Sequence, residues 1–124
     1  CIKIYSILSN FENETTTIEA IAEYDEKENV INYTEEDLKV KIKIGKDKVL
    51  IDRKNEDYCL SLEFIPNEKV ECKYEVKSIG LNLDIDVITK VLEIEKNRIY
   101  INYEIFNDNK SIGTFEYKLI IKEW

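Results

Sequence analysis

The chain has 124 residues, 44 % of them apolar and 35 % charged, with 26 acidic against 18 basic side chains and a formal net charge of -8. A chain of this length supports one core burying roughly two-thirds of the unfolded surface; no apolar run approaches the ~20 residues of a membrane-spanning helix, and a polyanion such as nucleic acid is repelled on average. The only Arg residues are Arg53 and Arg98 and there is no His, so bidentate phosphate reading is scarce and the commonest general base and metal ligand are missing.

Catalysis would fall to carboxylates, Tyr, Lys or Cys alone, and the chain reads as a non-enzyme without cofactor or metal. Its first residue, Cys1, is what a mature lipoprotein shows after signal removal. A lipoprotein follows that residue with a polar tether, whereas Ile2, Ile4 and Leu8 already alternate as a strand. Loss of an initiator Met is therefore the expectation. Cys1, Cys59 and Cys72 are odd in number and lack zinc-site or redox spacing, which fits a reduced, cytoplasmic protein with Cys72 buried and Cys59 on the opposite face.

From there almost every segment alternates apolar and polar residues with period two. Strands are predicted over residues 2–8, 15–24, 30–34, 38–44, 48–53, 58–65, 70–76, 81–87, 91–95, 98–106 and 111–122, with polar, turn-rich breaks between them. In 38–44, Leu38, Val40, Ile42 and Ile44 form the apolar face, and Lys39, Lys41 and Lys43 face water. In 81–87, Asn82, Asp84 and Asp86 take the polar side, so acidic strands can lie beside basic ones. Strands this close leave no room for crossover helices. The expected fold is all-β: one domain over residues 1–124, a small antiparallel meander of about 8–11 strands closed into a barrel to remove its two edges. Periodicity alone leaves a two-sheet sandwich open.

The run from Tyr24 to Asn29 followed by Val30, Ile31, Tyr33, Glu35 and Glu36 carries a family pattern. It continues in register through Val49, Ile51 and Arg53, then Leu62 and Phe64, then Tyr74, Gly80, Leu81 and Leu83, and finally Arg98, Ile99, Ile101 and Tyr103. Together these resemble the YwiB-like family of uncharacterised bacterial proteins. The resemblance implies a calycin- or lipocalin-like barrel without a settled activity. The chain departs from the pattern at Asn55, where the family tends to carry Gly, and in the turn at 76–80, which lacks the usual Thr and Pro.

Tyr24, Tyr58, Tyr74, Tyr103 and Tyr117 share faces with aliphatic residues, so a barrel interior would present several phenolic hydroxyls beside the small Ala20 and Ala22. Such a wall suits a small, partly apolar ligand; alternatively the tyrosines simply fill the core. Arg53 is in phase with Val49 and Ile51. Facing inward it would need an anion, which a ligand could supply; at the rim it would meet Glu56, Asp57 or a neighbouring strand's carboxylate. Asp84, Asp86, Glu93 and Glu95 lack a metal-loop spacing and read as a solvated face opposite a basic strand. Trp124 would plug one end of the barrel or, beside Phe11 or Phe106, anchor a partner. The leading function is a small-molecule-binding barrel anchored by Arg53 and the tyrosines. The alternative is a filled barrel acting through its surface, as a homodimer or with another protein.

Overall fold

The computed structural model describes residues 1–123, and the expectation for Trp124 lies outside the described residues. Ten strands follow one another: β1 (Ile2–Asn10), β2 (Thr15–Asp25), β3 (Val30–Glu35), β4 (Leu38–Ile44), β5 (Val49–Lys54), β6 (Tyr58–Phe64), β7 (Lys69–Val76), β8 (Leu81–Glu95), β9 (Arg98–Asn107) and β10 (Lys110–Glu123). Each pairs antiparallel with the next, and β1 pairs with both β2 and β10, so the meander closes into a barrel. Closure settles the choice between barrel and sandwich. No helix among the described residues is long and apolar enough to cross a membrane.

The inward residues of the alternating pattern form the core. Ile4, Ile31, Ile42, Val49, Phe64, Val87, Ile99, Ile101 and Leu119 are almost wholly buried. Where the sequence pattern suggests two strands over 81–87 and 91–95, the structure has one, β8. The inward phase passes from Ile85, Val87 and Thr89 to Leu92 and Ile94 through a bulge between Thr89 and Val91. An extra residue in one strand flips the facing of everything beyond it, which is why the alternation looked broken.

Turn chemistry fixes the hairpins. Asp108 and Asn109 both have positive φ, 52° and 64°, the two-residue turn whose twist matches that of the flanking strands. Gly80, at φ 62°, ends the short 3-10 turn Lys77–Ile79, and its N–H donates to the Lys77 carbonyl. An added Cβ there would meet nothing within 4 Å, so only backbone strain opposes a side chain. Gly80→Ala is expected to destabilise by about 1 kcal/mol and Gly80→Asn by roughly half that, because Asn tolerates the left-handed region. Urea unfolding of the two variants checks this; equal losses would contradict it.

One seam in the wall is thin. β2 and β3 pair only through Glu23↔Asn32, Tyr24↔Ile31 and Asp25↔Val30, whereas β3 pairs with β4 along its whole length. Residues 15–22 of β2 therefore bond to β1 alone.

Candidate functional site

The register places Tyr33, Val40, Arg53, Leu60, Tyr74 and Leu83 side by side in one row around the inner wall, on strands β3 to β8. Alternation brings Ile31, Tyr33 and Glu35 to the same face of β3, and Val49, Ile51 and Arg53 to the same face of β5. Arg53 thus points inward, and its Nη2 lies 3.3 Å from Glu35 Oε2. The Arg53 and Glu35 side chains are 25 % and 16 % exposed. The Tyr33 hydroxyl donates to the other Glu35 oxygen at 3.2 Å.

The anion that an inward Arg53 requires is therefore supplied within the protein by Glu35, where the sequence suggested a ligand, or at the rim Glu56, Asp57 or a neighbouring strand's carboxylate. Burial disfavours the charge on the guanidinium, but Glu35 and the facing Tyr58 hydroxyl outweigh it and hold the pKa above its ordinary value. Tyr58 meets Tyr74 edge to face at 6.0 Å between ring centres. Tyr58, Leu60, Tyr74 and Leu83 are only half-buried, so they form the rim of this end of the barrel.

Below them lie three buried phenols. Tyr103 is sandwiched between Phe64 and Phe115, with ring centres at 4.7 and 5.4 Å. Burial pushes the Tyr33, Tyr103 and Tyr117 hydroxyls well above the usual tyrosine range, so all three remain neutral donors near pH 7. The Ser6 and Tyr33 hydroxyls lie close enough to Tyr117 to ease its ionisation, yet Tyr117 Oη closes no hydrogen bond of ordinary geometry, nor does the buried Thr89 Oγ1. A buried polar atom left so costs about 1–3 kcal/mol.

Five of the six residues singled out in the sequence, Arg53, Tyr58, Tyr74, Tyr103 and Tyr117, thus belong to one end of the interior. The sixth lies elsewhere. Tyr24 is in the inward phase of β2 but stands past the barrel wall, 44 % exposed. Its hydroxyl donates to Asn29 Oδ1 at 2.8 Å, and Asn29 donates in turn to the Ile44 carbonyl. Tyr24 therefore ties down the β2–β3 turn and, with Ile2, Ile31, Ile44, Ile94 and Ile121, lines a cavity of about 460 Å³ at another mouth.

Tyr33, Glu35, Ser6 and Thr89 complete the cluster and were not singled out as site residues. The signal for the first two was present in the alternation of Ile31, Tyr33 and Glu35. The carboxylates of β8 are engaged with basic neighbours: Asp84 with Lys73, Asp86 with Lys69, and Glu93 and Glu95 with Arg98. Among the described residues no group of His, Cys, Asp or Glu could hold a metal ion. Cys72 is buried, accepts from the Glu63 N–H, and has its thiol pKa pushed up by burial.

A comparison with curated proteins finds no match. The fold is similar to the crystal structure of the ywiB protein from Bacillus subtilis, with a TM-score of 0.75 over 99 % of this chain and 89 % of that one at 17 % identity; so low an identity bears on the fold alone. The profile of the family described as "Domain of unknown function (DUF1934)" matches residues 2–119. The chain, with its closed barrel, belongs to that family.

Proposed function

We propose that the barrel binds, without chemical conversion, a small, partly apolar molecule at the Arg53 end of its interior. The supporting observation is Tyr117 Oη, buried at the end that carries the half-buried Tyr58 and Tyr74 rings, with the Ser6 and Tyr33 hydroxyls nearby but closing no hydrogen bond of ordinary geometry to it. A ligand hydroxyl or carbonyl there would satisfy it, while the rings provide apolar contact. Because Glu35 already neutralises Arg53, a neutral ligand fits this end better than an anionic one, which would have to displace the carboxylate. All three thiols are free, in keeping with a reducing cytoplasm as the working compartment.

Native mass spectrometry of the purified protein, set beside its denatured mass, tests the reading. A reproducible non-covalent adduct is expected on the wild type and is lost in Tyr117→Phe, whose thermal stability stays the same or rises slightly because the mutation removes an unsatisfied group. An adduct that survives in Tyr117→Phe would move the site elsewhere. A bare protein, above all a dimeric one, would favour the filled barrel that works through its surface.

A further inference from the structure

The thin seam between β2 and β3 opens onto a groove of about 890 Å³ on the outside of the barrel. Its floor includes Ala22, Tyr33 and Val40. On one side are the unpaired edge of β2 and Ile21, which is 65 % exposed, and on the other the ammonium groups of Lys39, Lys41 and Lys54. None of these three lysines forms an ion pair among the described residues. Moreover Lys39 stands directly opposite Lys54 in the β4–β5 register, a like-charge pairing that destabilises a sheet.

On β7 and β8 the outward lysines meet carboxylates, Lys73 with Asp84 and Lys69 with Asp86. In the groove Asp52 accepts from the Ser61 hydroxyl at 2.6 Å and stands opposite Lys41 in the register, so Asp52 and Glu23 set two carboxylates against the three lysines. A chain of net charge -8 therefore places three lysines that form no ion pair among the described residues, and a small excess of positive charge, beside an unpaired strand edge.

We propose that this groove docks an extended acidic segment of a partner protein, which adds as a strand to the free edge of β2. Strand addition satisfies the edge N–H and C=O groups. Side chains of such a segment alternate: one set turns inward over Ala20 and Ala22, where apolar residues fit, and the other turns outward toward the lysines. Residues two apart on a strand lie about 6.8 Å apart, so carboxylates at alternate positions match the Lys39 and Lys41 spacing. A polynucleotide is disfavoured because the whole molecule repels it and no Arg lines the groove.

The test uses a fluorescein-labelled nine-residue peptide of alternating Val and Glu, read by anisotropy at low salt, with amide exchange followed on residues 15–22. Binding that slows exchange at those amides is expected, as is weakening by about tenfold or more in Lys39→Glu/Lys41→Glu/Lys54→Glu, a triple variant on exposed positions whose circular dichroism should match the wild type. No binding at millimolar peptide would overturn the proposal. So would equal binding of an alternating Val and Lys peptide, displacement by a twelve-residue oligothymidylate, or a wild-type dimer that itself protects residues 15–22.

Discussion

Phe64→Ala is expected to destabilise the barrel by about 4 kcal/mol and lower its melting temperature by about 15 °C. Phe64 is 1 % exposed, and its ring packs on Tyr103, which stacks on Phe115. The three rings come from β6, β9 and β10, so the stack spans the interior from one wall to the other. β6 pairs with β7 only from Tyr58 to Ser61. Beyond Ser61 its position depends on β5 and on what its side chains touch. Truncation thus removes ring contacts, leaves a void and releases a strand end, while Phe64→Leu refills most of the volume and should lose about half as much. Thermal unfolding followed by circular dichroism measures both, and a loss below about 1.5 kcal/mol for Phe64→Ala would show that the interior recloses.

The barrel was legible because its physics is local. Lys39, Lys41 and Lys43 against Val40 and Ile42 specify one buried and one wet face whatever the neighbours are. Spacing too short for crossovers then forces sequential pairing, and the ten strands fall within the expected range. The misreading at Thr89 to Val91 came from the same rule: a bulge shifts the phase without leaving a turn signature. Closure itself depends on β1 meeting β10, a contact between chain ends that no local pattern encodes.

The site was legible by face but not by height along the barrel. Alternation put Arg53, Tyr58, Tyr74, Tyr103 and Tyr117 on the inward face, with a rim position left open for Arg53, and it gave Tyr24 the same status because period two is blind to where a strand leaves the wall. For Arg53 it offered a ligand's anion, the sequence-near Glu56 or Asp57, or a carboxylate of the neighbouring strand. The actual one, Glu35, is two strands away across β4, where the register sets Tyr33, Val40 and Arg53 in line. Such a pairing depends on strand stagger, which the sequence leaves open.

Glu35→Ala and Arg53→Ala are each expected to destabilise by about 2 kcal/mol, and the double variant by no more than either alone. Breaking a fully buried pair costs about 3–5 kcal/mol because the survivor is stranded; the partial exposure of both side chains reduces that. Without Glu35 the guanidinium keeps only the facing Tyr58 hydroxyl, and without Arg53 the carboxylate keeps only the Tyr33 bond. Removing both strands neither. Urea unfolding of the four proteins in the cycle gives the coupling, and additive losses would mean that the two charges act independently. The cycle also bears on ligand choice. If Glu35 is what makes this end of the barrel prefer neutral molecules, Glu35→Gln should gain measurable affinity for a small aromatic carboxylate such as benzoate, which the wild type binds poorly. Failure to gain it would mean that the freed guanidinium turns away to solvent, and Arg53 would then be a support for the rim of the barrel with no part in holding a ligand.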